Sequence, residues 1–278
     1  MLPAMVWRAA VRIAYDGREF MGSQRQPIVK TVEGEVISAL REIKAIDDPE
    51  RSRFKVASRT DRGVSALGNV IAFDTDFQRG KLLQALNAVA DKVYYLALAE
   101  VASSFTPRRA TARWYRYFLP AEGLDEARLR SCALSFEGKH DFRRFCKPDG
   151  KSTTKRIDRI GVFPIDQFFI IDIHAREFLR NMVRRMVAAM AAVASEASEL
   201  TEVEDVLSGR DKSFGLAPPE NLWLMEIRYP FEFEPQFPAT LNRRVMELQG
   251  GAFLNLAFAE ALSRGSRESD HERGDAVL

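Results

Sequence analysis

Residues 59–63 are the segment of this chain whose residue types and predicted turn are best suited to catalysis. The segments before and after them, 54–58 and 69–74, are apolar and extended in character, so we expect two strands joined by a polar turn. Gly63 can adopt the positive backbone dihedrals that a tight turn often needs. Asp61 would then be an exposed carboxylate held in place by the first strand. Because aspartate ahead of glycine is also a common turn former, the pattern alone leaves open whether Asp61 is catalytic or structural.

Basic residues are concentrated in two segments, although the net charge of the chain is only +2. The first segment, 108–116, contains four arginines and no acid, and the second, 139–159, contains eight basic residues and three acids. Segregated charge of this kind is typical of a surface that binds phosphates. An ordinary solvated surface is the alternative interpretation.

Composition excludes several other classes of protein. The chain has 278 residues, 46% of them hydrophobic, which suits a folded core, and no apolar run approaches the roughly 18–20 residues that span a bilayer. The N-terminus lacks the pattern of a signal peptide, so we expect a cytoplasmic protein with no membrane contact. Cys132 and Cys146 are expected to be reduced thiols. None of the three histidines stands at metal-ligand spacing from a cysteine, so neither a metal nor another cofactor is expected.

The order of strand and helix patterns predicts two successive α+β units. We expect ferredoxin-like units with mostly antiparallel sheets flanked by helices, and an active-site cleft between them. The first unit would be residues 1–106, with Asp61, and the second would be residues 107–231. Residues 232–278 would be a linker and extension, with a helical element at 241–262 that Gly250 and Gly251 interrupt and disorder from Ser263.

A helix predicted over residues 178–194 contains an arginine of particular interest. Its apolar residues lie on one wide stripe, whereas Arg184 points to another side, beside Ala188 and Ala191. Small neighbours permit the close approach of a second layer, so Arg184 is either buried between two layers or exposed to solvent.

Five blocks of the sequence, in order, resemble the tRNA pseudouridine synthase A (TruA) family. They are 13–17 with 22–26 (IAYDG and GSQRQ), 59–66 (RTDRGVSA), 113–117 (RWYRY), 178–184 (FLRNMVR) and 217–224 (APPENLWL). The resemblance spans roughly residues 8 to 230. It departs from the common pattern at Ser23, Ser58, Arg62 and Ser65.

The resemblance implies an enzyme that isomerises uridine to pseudouridine in the anticodon stem-loop of tRNA, at about positions 38 to 40, as a homodimer and without a cofactor. Asp61 would be the catalytic nucleophile, although a carboxylate could also stabilise charge on the ribose or remove its C2′ proton. Arg184 would keep Asp61 ionised, Tyr115 would lie against the uracil, and Arg59 would fill the space that the flipped base leaves.

The same resemblance suggests which basic residues meet RNA. The two basic segments would follow the tRNA backbone and position it without reading its sequence. The candidate RNA contacts are Arg25, Gln26, Arg108, Arg109, Lys151 and Arg156.

Three other functions stay open at the level of sequence. The chain could modify other tRNA positions or other RNAs, or it could be a catalytically silent RNA-binding protein on the same scaffold. The joint presence of Asp61, Tyr115 and Arg184 favours an enzyme. A glycoside hydrolase would usually need a second carboxylate as acid partner, and the resemblance assigns that role to no residue of the matched blocks.

Overall fold

The computed structural model describes residues 5–150 and 152–274, with the side chains of residue 258 and of residues 260–274 left out. Residues up to Gln236 form one compact unit, and a second unit begins at Phe237. Lys151, a predicted RNA contact, lies outside the described residues. None of the helices in the described ranges is long and apolar enough to cross a bilayer.

The first half of the larger unit contains four strands and two helices. Their bounds are β1 Trp7–Tyr15, α1 Val32–Glu42, β2 Lys55–Val56, β3 Ser65–Thr75, α2 Leu82–Val89 and β4 Val93–Val101. Thr31 caps α1, because its hydroxyl accepts a hydrogen bond from the Gly34 amide at 3.2 Å. Helices α1 and α2 pack against each other and against β4.

The second half adds six strands and three helices. Their bounds are β5 Ala112–Pro120, α3 Glu126–Ser135, β6 Gly138–Asp141, β7 Thr154–Ile165, β8 Phe168–Ala175, α4 Met182–Ala194, α5 Leu200–Leu207, β9 Leu222–Arg228 and β10 Glu234–Pro235. Helix α3 packs on α4, α5 and β7, and α4 also contacts β5.

All ten described strands belong to one sheet. The strand order is β10-β4-β1-β3-β9-β5-β8-β7-β6, with β2 paired to β3. The described neighbours are antiparallel except β3 and β9, which run parallel over Ser65–Trp223 and Ala66–Leu224. The predicted α+β class, with a mostly antiparallel sheet flanked by helices, is confirmed. The two halves nevertheless share one sheet, because β3 pairs with β9 and β10 pairs with β4, and the division near residue 107 stays a prediction.

The smaller unit consists largely of helix α6, Ala239–Gly274. It differs from the expectation of a helix broken at Gly250 and of disorder from Ser263, since the backbone is helical through both places. The segment is rich in alanine, leucine, arginine and glutamate, which favour helices, and Arg243 faces Glu247 one turn on at 3.9 Å. The prediction of disorder from Ser263 rested on the mixture of charged residues, serine and glycine without apolar spacing, and residues 275–278 lie outside the described residues.

Candidate active site

Ser23, which lies outside the turn that carries Asp61, holds the backbone of that turn in place. The Ser23 hydroxyl accepts a hydrogen bond from the Thr60 amide at 2.7 Å and donates one to the Thr60 carbonyl at 3.2 Å. The Ser23 amide donates to the same carbonyl at 3.1 Å. Because both polar backbone groups of Thr60 are engaged, the residue before Asp61 has little freedom to move.

Asn69 on β3 fixes the start of the same turn. Its side-chain oxygen accepts from the Ser58 amide at 3.2 Å, and its side-chain nitrogen donates to the Ser58 carbonyl at 2.9 Å. The same nitrogen contacts the Tyr15 hydroxyl, which also lies 2.9 Å from the Thr60 hydroxyl. Burial raises the pKa of Tyr15 to about 12, so this phenol remains a neutral hydrogen-bonding group at physiological pH.

Gly17 and Gly63 allow two loops to meet behind the turn. The Gly63 amide donates to the Gly17 carbonyl at 3.3 Å, and the Gly17 amide donates to the Ser65 hydroxyl at 3.0 Å. A side chain on Gly17 would stand 2.2 Å from the Val64 carbonyl oxygen, which leaves room for glycine only. Gly63 has a φ of +86°, as the turn pattern predicts.

Arg184 lies beside Asp61, although 123 positions separate them in the sequence. One terminal nitrogen of the guanidinium is 3.4 Å from an Asp61 carboxylate oxygen. The arginine side chain is 11% exposed and the aspartate side chain 31% exposed, so the carboxylate remains reachable from solvent. Of the two alternatives left open for Arg184, the buried position between layers is therefore the one observed.

The Arg184 side chain is also anchored on its other side. Its Nε donates to the Ala217 carbonyl at 2.7 Å, and the Ala217 amide donates to the Arg184 carbonyl at 3.2 Å. Helix α4 begins at Met182 and not at the predicted Phe178, because Asn181 adopts a left-handed conformation with φ of +63° that a helix cannot contain. Arg184 thus lies in the first turn of α4, and its guanidinium is fixed by the loop that precedes β9.

Tyr115 is buried on the face of β5 that also carries Arg113 and Tyr117. Its ring meets the Phe178 ring edge to face, with the centroids 5.0 Å apart. Burial raises the pKa of the Tyr115 phenol, Arg113 and a hydrogen bond with Ser58 lower it, and the charge of Asp61 raises it. The phenol therefore stays protonated at physiological pH and is close enough to Asp61 to be affected by its charge.

Tyr117 behaves as the core residue that its position on β5 predicts. Its side chain is 1% exposed, and its hydroxyl donates to the Pro218 carbonyl at 3.1 Å. Burial raises its pKa to about 12. Tyr117 therefore supports the same 217–219 loop that anchors Arg184.

Arg59 is exposed and lines a cavity of about 340 Å³ beside the Asp61 turn. Two of the predicted RNA contacts, Arg25 and Arg108, line the same cavity. Gln26 does not line it, and its side chain donates instead to the Met21 carbonyl at 3.3 Å. Arg109 is exposed next to Arg108. The cavity gathers arginines from three separate segments close to the candidate carboxylate.

A second cavity, of about 460 Å³, contains the predicted contact Arg156. Lys139, Lys155 and Arg176 line it as well, together with the acids Asp158 and Glu177. Lys155 is engaged with Glu177 at 2.6 Å, and the exposed Arg156 lies 3.6 Å from Asp158. The cavity therefore contains the exposed cations Lys139, Arg156 and Arg176, with Arg156 already beside a carboxylate.

Metal-binding side chains do not cluster within the described ranges, where no three His, Cys, Asp or Glu residues are placed to share an ion. Cys132 and Cys146 are both buried free thiols, as their sequence context predicts.

Sequence reasoning missed the residues that support the turn. Ser23, Ser58 and Ser65 are all buried around it and hydrogen-bonded, and they are three of the four positions at which the family resemblance is imperfect. The imperfect match to the family at these three positions was the sequence signal that could have identified them. Asn69 and Arg113 left no local sign, because their partners are distant in sequence.

The sequence of this chain is similar to those of several known proteins. Residues 132–230 match a family model described as tRNA pseudouridine synthase. The tRNA pseudouridine synthase A of Pyrococcus abyssi is 43% identical over 80% of this chain and 84% of its own length. Those of Thermococcus sibiricus and Methanobrevibacter smithii are 42% and 37% identical, over 86% and 80% of this chain and 92% and 83% of their own lengths.

Among solved structures, an H/ACA ribonucleoprotein bound to a substrate RNA aligns over 77% of this chain and 59% of that chain. The identity is 11% and the TM-score 0.34, a likeness too small to extend any property to this chain. The sequence relatives, by contrast, share two fifths of their residues over most of both chains, and by that measure this chain belongs to the tRNA pseudouridine synthase A family of isomerases.

Proposed function

We propose that this chain converts uridine to pseudouridine in the anticodon stem-loop of tRNA, at about positions 38 to 40, with Asp61 as the nucleophile. The observation that carries the proposal is the contact between Asp61 and Arg184, which come from different halves of the sheet. The guanidinium is a fixed hydrogen-bond donor beside the carboxylate, and a carboxylate oxygen is the group that would attack the sugar carbon.

The reaction can be written with these residues alone. An Asp61 oxygen bonds to ribose C1′ as the bond from C1′ to N1 breaks, and the bonding electrons leave with the uracil. The uracil turns so that its C5 faces C1′, a new bond from C5 to C1′ displaces the carboxylate, and the proton on C5 is lost while N1 gains one. The product is an isomer of the substrate, and Asp61 is regenerated.

Tyr115 and Arg59 would handle the base. The Tyr115 ring is fixed by Phe178 and can lie against the uracil. Arg59 is exposed on the turn, two residues from Asp61, and a planar cation entering the vacated stack would offset part of the few kcal/mol that base flipping costs.

The tRNA backbone would lie along the two arginine-rich cavities. Arg25, Arg59 and Arg108 line the first, and Arg156 lines the second. Contacts of this kind position RNA through its phosphates. We further propose that the enzyme acts in the cytoplasm as a homodimer, which rests on family membership.

Asp61→Asn tests the proposal because the amide keeps the shape of the side chain and loses the nucleophilic charge. We expect no release of tritium from C5-labelled uridine in a tRNA transcript, with the tRNA dissociation constant changed by less than about threefold, since positioning contacts remain. A variant that releases tritium at the wild-type rate would remove Asp61 from the chemistry.

A further inference from the structure

Arg113 on β5 is a buried arginine, 8% exposed, whose guanidinium is held by oxygen atoms of three segments. Its Nε donates to the Ser58 hydroxyl at 3.0 Å, and its terminal nitrogens donate to the Arg108 carbonyl at 3.0 Å and to the Arg176 carbonyl. These hydrogen-bond partners, the ones that the described part of the chain provides, are all neutral. Because burying a charge is costly unless hydrogen bonds compensate it, the three contacts together keep this cation in place.

Each of the three segments leads to a different part of the candidate site. Ser58 lies three residues before Asp61, in the segment that enters the turn. Arg108 lines the cavity of about 340 Å³, and Arg176 lines the cavity of about 460 Å³. One guanidinium therefore joins the candidate nucleophile's turn to both of the cavities in which we place the tRNA backbone.

The contact with Ser58 acts on the backbone of the turn and not on a free side chain. Asn69 engages the Ser58 amide at 3.2 Å and the Ser58 carbonyl at 2.9 Å, so the Ser58 hydroxyl has a fixed position next to β5. The donors of a guanidinium point in fixed, different directions. The three hydrogen bonds of Arg113 therefore set the spacing between the Asp61 turn and the other two segments.

We propose that Arg113 is a positioning residue that fixes the Asp61 turn relative to the segments of Arg108 and Arg176, through the hydrogen bond from its Nε to Ser58. This inference rests on the proposed function, in which Asp61 attacks the ribose of a tRNA held by its phosphates. Phosphate contacts set where that ribose lies, and a misplacement of about 1 Å can cost about 100-fold in rate. Arg113 thus acts on the chemical step and leaves the affinity for tRNA unchanged.

Arg113→Lys and Ser58→Ala each remove this hydrogen bond, from opposite ends. Lysine has a methylene group where arginine has Nε, while its ammonium keeps the charge and can still donate to a carbonyl. In the full-length protein we expect each variant to lower single-turnover tritium release from a C5-labelled tRNA transcript about tenfold at saturating enzyme. The tRNA dissociation constant should stay within about twofold at every salt concentration, because no positive charge is lost.

The double variant tests whether the two changes act through one bond. It should be no more than about twofold slower than either single variant, because the bond is already gone. Losses that multiply to about 100-fold, or a wild-type rate for either single variant, would overturn the inference.

The matched control is Arg116→Lys, which changes an arginine on the opposite face of β5 whose Nε donates to Asp172 at 2.8 Å. It should turn over bound tRNA at the wild-type rate. A loss as large as that of Arg113→Lys would mean that any such exchange in β5 slows the enzyme, which contradicts a specific role for Arg113.

A role in stability alone is separated by repeating the measurements in trimethylamine N-oxide, which stabilises folded proteins. A positioning role leaves the tenfold deficits in place, whereas recovery to within about twofold of the wild-type rate counts against it. If Arg113→Lys does not fold, Ser58→Ala decides together with Ser58→Thr, which keeps the hydroxyl. A Ser58→Thr rate within about threefold of wild type supports the inference, and one as low as that of Ser58→Ala refutes it.

Asp61→Asn is assayed alongside to separate this inference from the function on which it rests. An inactive Asp61→Asn together with fully active Arg113→Lys and Ser58→Ala removes only the positioning role of Arg113. An active Asp61→Asn removes the proposed function itself.

Discussion

At the scale of single residues, the Asp61 carboxylate depends on an arginine that is held from two sides. Arg184 contacts Asp61 at 3.4 Å and the Ala217 carbonyl at 2.7 Å, and its side chain is almost fully buried. A guanidinium can make both contacts at once because its donors point in fixed, different directions. The same anchoring explains why a buried cation is tolerated here.

Removing this cation should impair chemistry more than binding. We expect Arg184→Gln to lower the single-turnover rate by about 30-fold or more, because truncating one partner of a buried charged pair costs about 2–5 kcal/mol. The control is Arg130→Gln, which removes an arginine on α3 that pairs with Glu126 at the surface. Equal rates for the two variants would show that Asp61 does not need its neighbour.

At the scale of elements, the strand pair β6–β7 presents its cations to a shared cavity. Lys139 on β6 pairs in register with Arg156 on β7, and both line the cavity of about 460 Å³. Neighbouring like charges on paired strands repel each other, so the arrangement favours an anion near them, and Asp158, 3.6 Å from Arg156, offsets part of this repulsion.

Arg156→Gln should weaken tRNA binding and leave turnover of bound tRNA unchanged. We expect the slope of log affinity against log salt to fall in magnitude by about one, since each neutralised phosphate contributes about that much. Filter binding at several salt concentrations measures the slope, with Arg130→Gln again as the charge-matched control. An unchanged slope would place Arg156 off the RNA surface.

The elements also show how far local sequence patterns reach. The Thr31 cap of α1 is a contact that local sequence can indicate, because capping depends on residues three apart. The start of α4 was placed four residues too early, since the left-handed Asn181 carries no clear local signal. Strands β6 and β10 were not predicted, because four and two residues form strands only through the neighbours they meet in the fold.

The residues of the candidate site also divide into those that local sequence predicts and those that it does not. Asp61 and its turn could be recognised from residues 59–63, and the buried side of Arg184 was one of two alternatives that the helix pattern allowed. The link from Ser58 to Arg113 joins residues 55 positions apart, and no periodicity in the sequence marks such a contact. Local sequence therefore identifies reactive groups more readily than the groups that orient them.

At the scale of the whole molecule, the candidate site is assembled across the seam where β3 meets β9. The seam is short, with two residue pairs in parallel register. Gly68 on β3 allows the backbones of β3 and β9 to approach each other closely. A Cβ at this position would stand 2.4 Å from the Met225 carbonyl oxygen and 2.9 Å from the Glu226 Cα. Both atoms belong to the backbone, so no side-chain rotation can relieve the clash.

Gly68→Ala should therefore disturb activity and stability together. We expect a loss of about 1–3 kcal/mol in the free energy of unfolding, as for other overpacked sites, and a lower turnover rate because Asp61 and Arg184 lie on opposite sides of the seam. Urea unfolding and tritium release measure the two effects. Gly80→Ala is the control, since a Cβ there would have no atom within 4 Å. If Gly68→Ala and Gly80→Ala show the same free energy of unfolding and the same turnover rate, the backbone where β3 meets β9 accommodates the added Cβ.

The contacts that steady the Asp61 turn have a consequence for how members of such a family diverge. They engage the backbone of Ser58, Thr60 and Gly63, while the side chains of Arg59 and Arg62 point outward. Either outward residue can be exchanged in a descendant protein without moving the carboxylate between them. Preference for one RNA over another can then drift by small steps at Arg62, whereas exchange of Arg59 would also act on the base flipping proposed for it.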